Sequence, residues 1–348
     1  MREHKTYFDL IRLAAAYCVV LMHTATDGLR YDICMRPGWL GLAAASSFTF
    51  CAVPLFFMMS GYLMFESEAD PVVMLKKRIP GLLIPLMFWS SMHIVWSAFA
   101  QNTWSLRFFW DGITQALQKP ADISFWFIYT LIGMYLIAPL LVRIIRSKDR
   151  TLHLYIIGLI FVLQFLTLIR TLFPAFYCTY LAFDVMDGIN FFSGHLCSFI
   201  LGWYLGKTEK KISSLAIGAA ALISYGIILA GTIARSVSSG TYVADFQSQN
   251  AFLEIFLAAC LFMLAKNLKF TTNEKVVSVL KRLAPYSFCV YLSHNLLLRI
   301  YVYYHRVMPL SVSGIVILSA VVFVIGIILG ELLSHIPYLR YLAFGKSK

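Results

Sequence analysis

The first hydrophobic segment of the chain carries three side chains that could do chemistry, although each is costly to place in lipid. Asp9, Arg12 and His23 lie in the stretch FDLIRLAAAYCVVLMHTATD at residues 8–27. In a helix, eleven residues bring His23 back to within about 20° of the face that carries Arg12, with about 16 Å between them along the axis. Asp9 stands one turn before Arg12, where its carboxylate can pair with the guanidinium. Such a polar stripe must line a cavity or a protein interior.

The residue types of this stripe are those that an acyl-transfer site requires. A guanidinium binds phosphate oxygens, and an imidazole that titrates near neutrality can act as a general base. A structural interpretation stays open beside this one. In it, Arg12 extends to the headgroups at the membrane surface while His23 hydrogen-bonds to another helix.

The composition places this stripe in a polytopic membrane protein. Of the 348 residues, 60% are hydrophobic and 13% are charged, which is typical of a chain that crosses a bilayer repeatedly. A bilayer core of about 30 Å needs about 20 apolar residues per helical crossing. Runs of this kind predict an all-α bundle of about ten membrane-spanning helices, at residues 8–26, 40–64, 79–100, 124–142, 153–172, 189–206, 213–234, 250–268, 285–304 and 313–335.

These spans and their short connections account for the whole chain. We therefore predict one membrane-embedded domain over residues 1–348, with no soluble domain. Any chemistry must then belong to the helical bundle. The first span is interpreted as a retained helix rather than a cleaved signal peptide, because Arg12 interrupts it and further spans follow.

Basic residues are distributed unevenly between the two predicted sides. With the N-terminus in the cytoplasm, the inner segments hold 20 of the 29 lysines and arginines, and the outer loops hold 7. This asymmetry predicts that both termini are cytoplasmic. The net charge of +12 is explained by this topology and by contact with the anionic headgroups of the lipid bilayer, so we expect no nucleic-acid partner.

Cysteine and histidine spacing gives no sign of a metal site, so we expect no metal cofactor. Five of the seven cysteines lie in predicted spans, where a cysteine usually acts as a small buried hydrophobe. Cys34 and Cys178 fall in predicted outer loops, and whether they pair stays open. His93 and His195 lie outside any recognisable motif and are interpreted as structural.

Four motifs resemble the acyltransferase-3 family of membrane O-acyltransferases and occur in the family's order along most of the chain. The first span resembles the family helix in which a basic residue, ten intervening residues and a histidine form the defining motif. The later motifs resemble the family's FFxxSG element, its Trp-Phe helix that ends in a Pro-Leu pair, and its late Tyr-Leu-x-His helix. The four segments are FDLIRLAAAYCVVLMH at 8–23, VPLFFMMSGYLMF at 53–65, SFWFIYTLIGMYLIAPLL at 124–141 and SFCVYLSHNLLL at 287–298.

The resemblance implies a compact bacterial glycan O-acetyltransferase of the cytoplasmic membrane. Such an enzyme takes acetyl from cytoplasmic acetyl-CoA and transfers it to a hydroxyl of a cell-surface polysaccharide or lipid-linked sugar at the outer face. In this chain the resemblance implies that Asp9, Arg12 and His23 are catalytic. His23 would act as a general base or form an acyl-histidine intermediate, and the sequence does not choose between them.

The donor site is expected at the inner face, where cations can hold the CoA phosphates. Family members often carry an arginine three residues after the position of Arg78, and this chain has Gly81 there, so nearby lysines are the replacements we expect. The Ser-Gly pair of the second span could let the cofactor approach the backbone, although close helix packing is the simpler interpretation. The donor candidates are Arg12, Lys76, Lys77, Arg78, Ser60 and Gly61.

The acceptor site is expected among polar and aromatic residues of the later spans. Its candidates are Trp126, Tyr129, Tyr291, His294, Glu254 and Arg299. Each has a structural alternative: the aromatic residues of the fourth span could be interfacial anchors, and His294 could make an interhelical hydrogen bond. For Glu254 we expect pairing with Arg299 rather than contact with a sugar.

The main alternative function is a membrane transporter of an amino acid or lipid-linked saccharide that uses the same polar stripe. Binding of acetyl-CoA would distinguish the enzyme from the transporter. The sequence gives neither the acceptor's identity nor an oligomeric state, so an oligomer stays possible.

Overall fold

The computed structural model describes residues 5–31, 36–67, 70–147, 149–180, 186–268 and 273–345. These residues are nearly all helical and include no strand, which confirms the predicted all-α fold. The helices, in chain order, are α1 Thr6–Tyr31, α2 Pro37–Thr49, α3 Ala52–Phe65, α4 Pro71–Ala100, α5 Leu106–Ala116, α6 Trp126–Arg146, α7 Arg150–Leu172, α8 Pro174–Tyr180, α9 Met186–Lys207, α10 Ser214–Ser239, α11 Phe252–Asn267, α12 Glu274–Leu283, α13 Ser287–His305, α14 Val312–Ser334 and α15 Pro337–Phe344.

Within the described ranges, seven helical segments are long and apolar enough to cross a membrane, which supports a multi-pass membrane protein. They comprise α1, the α2–α3 pair, α4, α6, α7, α10 and α14. The other three predicted spans fall on α9, α11 and α13. Of these, α11 has 16 residues, fewer than the roughly 20 that a perpendicular crossing needs. The total of ten spans therefore stays a prediction.

Helix α1 lies at the centre of the bundle and contacts α2, α3, α13 and α14. Small and β-branched side chains of its middle turns, such as Ala16 and Val20, are fully buried. Near its C-terminal end, the Thr24 hydroxyl lies 2.6 Å from the Ser319 hydroxyl of α14, a hydrogen-bond distance. The neighbours of α1 thus hold it on several sides.

Helices α3 and α9 approach each other closely because glycines lie at their contact. A Cβ atom on Gly61 would lie 1.7 Å from the carbonyl oxygen of Phe199, and one on Gly202 would lie 2.0 Å from that of Met58. Small residues at such positions allow helix backbones to meet. Gly61 of the Ser-Gly pair therefore has the packing role that the sequence left open.

Several helices begin at side-chain caps that the sequence encodes. Asp70 accepts hydrogen bonds from the N–H groups of Val72 and Val73 and is followed by Pro71 at the first position of α4. Asp122 caps the short 3-10 turn that precedes α6, accepting from the N–H of Ser124 at 3.0 Å. This second cap has a further role at the site described below.

Candidate active site

Helix α1 carries Arg12 and His23 toward opposite ends of the bundle. Arg12 Nη1 lies 3.5 Å from Asp9 Oδ1, so the pairing expected from the sequence is present. The Asp9 side chain is buried, whereas that of Arg12 is 35% exposed. No proline or glycine interrupts the helix between Arg12 and His23, so the axial separation of about 16 Å follows from helix geometry.

His23 lines a partly open cavity of about 1040 Å³ at the far end of α1. The ends of α1, α4 and α13 and the segment that precedes α6 form its walls. We call this the cavity end of the bundle, and the opposite end, which carries Arg12, the Arg12 end. The positive-inside distribution predicts that the cavity end is the outer one.

The cavity combines aromatic rings with hydrogen-bonding side chains. The rings of Trp96, Trp126 and Tyr303 lie beside the amides of Gln249 and Asn295. A pocket with apolar faces and a few fixed polar groups suits a small polar ligand such as a sugar. Aspartate and arginine side chains complete the lining: Asp27, Asp122, Arg30, Arg299 and Arg306.

His294 lies next to His23, with 5.1 Å between the ring centroids. It is fully buried, and its Nδ1 atom lies 2.6 Å from the carbonyl oxygen of Tyr291. Because a carbonyl can only accept, Nδ1 must carry the proton and neutral His294 keeps a lone pair on Nε2. Among the described residues Nε2 has no hydrogen-bond partner. His294 therefore places an acceptor atom in the interior beside His23.

Asp122 gathers polar groups from α4, from α13 and from the 3-10 turn before α6 at the cavity wall. Its Oδ1 atom accepts from the Ser124 hydroxyl at 2.7 Å and from the Asn295 amide at 2.7 Å. Its Oδ2 atom accepts from Arg299 at 2.8 Å and lies 3.7 Å from His93 Nδ1. Burial alone would raise the pKa of Asp122, but attraction to His93 and hydrogen bonds from Ser124 and Asn295 outweigh it and lower the pKa. Asp122 is therefore a fixed carboxylate at neutral pH.

The predicted acceptor residues divide into three groups. Trp126 and Arg299 line the cavity. Tyr291 and His294 are buried behind it, and the Tyr291 hydroxyl donates to the carbonyl oxygen of Ser124. Tyr129 donates its hydroxyl to the carbonyl oxygen at the end of α5 and does not line the cavity, so its contact ties α6 to α5.

The expected pairing of Glu254 with Arg299 is wrong. Arg299 pairs with Asp122 instead, because the turn before α6 brings that carboxylate to the side of α13. Glu254 is fully buried in α11, away from the cavity lining. Within the described part of the chain, neither of its carboxylate oxygens has a hydrogen-bond partner.

At the Arg12 end, the structure separates the predicted donor cations. Arg78 donates to the carbonyl oxygen of Leu63 at 3.0 Å, and its guanidinium lies 5.5 Å from the Tyr135 ring centre. Arg12 is also within electrostatic reach of Tyr135, so the two arginines share one neighbourhood. Lys76 and Lys77 are exposed on the same turn of α4 and make no hydrogen bond or ion pair to the described residues.

Further cations surround the C-terminal ends of α3 and α9 at the Arg12 end. Lys5 donates to the Tyr62 hydroxyl, and Arg146 donates to the carbonyl oxygen of Ser67. Lys207 lies 2.7 Å from a Glu66 oxygen, and the hydrogen bond to Glu66 raises the pKa of Lys207. This end is therefore rich in positive charge in three dimensions as well as in sequence.

Comparison with known proteins shows the family of this chain. The family model described as an acyltransferase domain matches residues 5–331, nearly the whole chain. The chain belongs to the acyltransferase-3 family. No match was found among curated proteins or among solved structures. The resemblance seen in the four motifs is thereby confirmed, and the chain is a membrane acyltransferase.

Within this acyltransferase-3 chain, the main site residues that sequence reasoning missed are Asp122 and His93. Asp122 stands just before the predicted span at 124–142, four residues before the Trp126 of the Trp-Phe motif. The sequence around His93 contains no motif and predicts a structural role, yet His93 lies 3.7 Å from the Asp122 carboxylate. An aspartate at the start of a membrane helix, which lipid would disfavour, was the signal available in the sequence.

Metal and disulfide expectations remain open. No group of three or more His, Cys, Asp or Glu side chains that could hold a metal ion occurs among the described residues, and the absence of a metal cofactor stays a prediction. Cys178 is an exposed free cysteine. Cys34 lies outside the described residues, so its pairing with Cys178 is untested.

Proposed function

We propose that this acyltransferase takes acetyl from acetyl-CoA bound at the Arg12 end and transfers it to a hydroxyl of a glycan or lipid-linked sugar in the cavity. The observation that carries the proposal is the placement of Arg12 and His23 on one uninterrupted helix. Arg78 and Tyr135 lie in the neighbourhood of Arg12, and His23 lines the cavity. Family membership supports the acyl transfer itself.

The donor assignment rests on charge and length. The phosphates of CoA need cations, and guanidinium groups bind them with two parallel hydrogen bonds. Arg12 and Arg78 share the neighbourhood of Tyr135 and are the first choice for this contact. The pantetheine arm between phosphates and thioester has a reach similar to the separation of Arg12 and His23, about 16 Å along the helix.

In the proposed reaction, His23 takes the proton from the acceptor hydroxyl as the oxygen attacks the thioester carbonyl. The carbon–sulfur bond then breaks, CoA leaves as a thiolate, and the imidazolium returns its proton to the sulfur. The charge that appears on His23 lies within electrostatic reach of the Asp122 carboxylate, and the ring centre of His294 is 5.1 Å away. An acyl-histidine intermediate uses the same residues and stays an alternative.

The proposed location is the cytoplasmic membrane of a bacterium, with both termini inside. The uneven distribution of lysine and arginine supports this orientation. It puts the donor cations in the compartment that contains acetyl-CoA and turns the cavity toward the cell envelope. A polysaccharide precursor or another envelope glycan could then reach His23 without entering the cytoplasm.

Transport by the same polar stripe is less well supported. The described cavity does not include Arg12, and both a pantetheine arm and a transported solute would have to pass between Arg12 and His23, so the cavity alone does not separate the two functions. A family model for acyl transfer also covers the residues that a transport path would use.

The test compares wild type with His23→Ala in phosphatidylcholine nanodiscs that carry an added envelope glycan extract. We expect the variant to transfer labelled acetyl from acetyl-CoA about 10²–10⁴-fold more slowly, since this is the usual cost of losing a general base. CoA affinity by calorimetry and thermal stability should stay close to wild type, because His23 stands at the thioester rather than at the phosphates.

His335→Ala is the matched control, because His335 caps the end of α14 outside the cavity. Near-normal transfer by His23→Ala would remove His23 from the reaction. Undetectable CoA binding by the wild type would instead favour transport over acyl transfer.

A further inference from the structure

The cavity carries more positive than negative charge among its described lining residues. Three arginines, Arg30, Arg299 and Arg306, face two aspartates, Asp27 and Asp122. The Asp122 carboxylate already pairs with Arg299 at 2.8 Å and accepts a hydrogen bond from Asn295. Asp27 approaches Arg30 only to 4.0 Å, and both side chains are well exposed.

Arg306 is the cation of the cavity without a carboxylate partner in the described part of the chain. Its guanidinium lies 5.3 Å from the ring centre of Tyr303, which also lines the cavity. The contact places the exposed guanidinium beside this ring without neutralising its charge. A charged group held against an aromatic wall is poised to bind an anion.

The backbone of Arg306 gives a second, independent indication. Arg306 adopts φ 65°, and in the described residues only one other non-glycine residue, Asn102, has a positive φ. This left-handed conformation at the end of a helix is one that glycine adopts at no steric cost. A long cationic side chain at such a position implies that the side chain itself is needed, since backbone strain of this kind clusters at functional sites.

Interaction with the helix dipole does not account for both the unpaired charge and the left-handed backbone of Arg306. Arg30 and Arg306 stand at the C-terminal ends of α1 and α13, where cations interact favourably with the helix dipole. That effect requires a cation within the last turn, which His305 already offers to α13 when protonated. It does not require the strained position or a guanidinium placed against a cavity ring.

We propose that the acceptor held in this cavity is an acidic saccharide, whose carboxylate or phosphate binds Arg306 and Arg30 while a hydroxyl is presented to His23. The inference rests on the proposed function for the role of the cavity, and it adds the charge of the substrate. Trp96 and Trp126 offer the apolar faces against which a sugar ring can stack.

The experiment titrates purified protein in phosphatidylcholine nanodiscs with three glycosides that share one ring. They are methyl β-D-glucoside, methyl β-D-glucuronide and methyl β-D-glucoside 6-phosphate. Binding is followed by tryptophan fluorescence, because two tryptophans line the cavity. We expect one or both acidic glycosides to bind about tenfold or more tightly than the neutral one, which corresponds to one charge-assisted contact.

The variants locate the charge that causes this preference. Arg306→Gln should abolish most of it, Arg306→Lys should retain part of it, and Arg306→Gly should abolish it while leaving thermal stability unchanged or higher. Arg107→Gln is the matched control, because Arg107 is an exposed arginine of α5 outside the cavity. It should keep the full preference.

Equal binding of acidic and neutral glycosides, or binding by none of them, would overturn the inference, as would a preference that survives Arg306→Gln combined with Arg30→Gln. A lipid phosphate as the true ligand would show as retention of phosphatidylglycerol that depends on Arg306, with no discrimination among the sugars. CoA affinity is measured on the same samples. Its absence, with the acidic preference intact, would end the proposed acyl transfer and leave the acidic ligand standing.

Discussion

Asp122 connects the turn before α6 to α4 and α13, so a single carboxylate holds the cavity wall together. Its partners are buried or half-buried donors that cannot all find water when the carboxylate is removed. Leaving such donors unsatisfied costs about 1–3 kcal/mol. The residue therefore matters for both the stability and the shape of the site.

We predict that Asp122→Ala lowers the free energy of unfolding by about 1–3 kcal/mol and reduces acetyl transfer, because Arg299 and Asn295 lose their common acceptor and His93 loses the nearby carboxylate. Since the pKa of Asp122 is lowered by folding, this stabilisation is present at neutral pH and is lost as the pH falls below about 4. The difference in Tm from wild type should narrow over that range.

Asp111→Asn is the control for this measurement. Asp111 forms an exposed pair with Arg107 at 3.7 Å, and such surface pairs contribute about 0–1 kcal/mol. An Asp122 variant no less stable and no less active than the Asp111 variant would contradict the prediction.

At the Arg12 end we predict that Arg12→Glu and Arg78→Ala weaken CoA binding about tenfold or more, whereas Lys76→Ala changes it less than threefold. Both arginines lie around Tyr135, while Lys76 is exposed without a described polar contact. Loss of a charge-assisted hydrogen bond accounts for the size of the effect.

Calorimetric titration with CoA measures these affinities, and Lys281→Glu on the exposed face of α12 controls for a general change of surface charge. Lys76→Ala as damaging as Arg78→Ala would show that the lysines replace the missing arginine after all. Arg12→Glu with wild-type affinity would remove Arg12 from the donor site.

At the residue scale, the sequence predicted side-chain pairings within one helix but not pairings between helices. The pairing of Asp9 with Arg12 depends only on helix geometry and is present. The pairing of Arg299 could not be predicted, because Asp122 is 177 positions away along the chain and is brought near by the packing of α6 and α13. Among the acceptor candidates, those that line the cavity could not be separated from those behind it for the same reason.

At the scale of helices, the contact between α3 and α9 is the feature that least tolerates a larger side chain. We predict that Gly61→Ala destabilises the protein by about 1–3 kcal/mol or more, because the new methyl group would lie 1.7 Å from the Phe199 carbonyl oxygen and would force the helices apart. Thermal unfolding in nanodiscs measures the change.

Gly133→Ala is the matched control in α6, since nothing lies within 4 Å of its added Cβ. Alanine favours the helix over glycine, so stability should be unchanged or higher there. Equal melting temperatures for Gly61→Ala and wild type would show that the helices can separate without cost.

Hydrophobic runs located most of the long helices but missed two kinds of element. The second predicted span at 40–64 is two helices, α2 and α3, with the break at Phe50 and Cys51. The amphipathic helices α5 and α12 lie in the connections between predicted spans, because their mixed composition does not give an apolar run. Neither miss changes which end of the bundle holds the site.

At the scale of the whole molecule, the orientation of the protein in the membrane decides which compartment the Arg12 end faces and which one the cavity end faces. We predict that a membrane-impermeant maleimide labels Cys178 in intact spheroplasts of a Cys34→Ser background. Cys178 is exposed at the end of the bundle that should face outward, whereas the other described cysteines are buried or partly buried. Labelling is read as a mass shift.

Lys210→Cys in the exposed connection between α9 and α10 supplies the opposite control in a background that carries both Cys34→Ser and Cys178→Ser. It should be labelled only after the spheroplasts are permeabilised. The reverse pattern would invert the topology and place the cavity in the cytoplasm, against the positive-inside distribution.

Helix α1 runs without interruption from Arg12 to His23 and therefore holds these two residues at a constant distance from each other. Because no proline or glycine lets it bend there, Arg12 at the proposed phosphate site and His23 at the proposed thioester site keep a constant separation. A donor with a longer acyl chain keeps its thioester in place and must extend the extra carbons into the cavity, where they compete with the sugar. In the proposed mechanism, the rigidity of α1 would thus favour a short acyl group without the need for a separate pocket that binds the acyl chain.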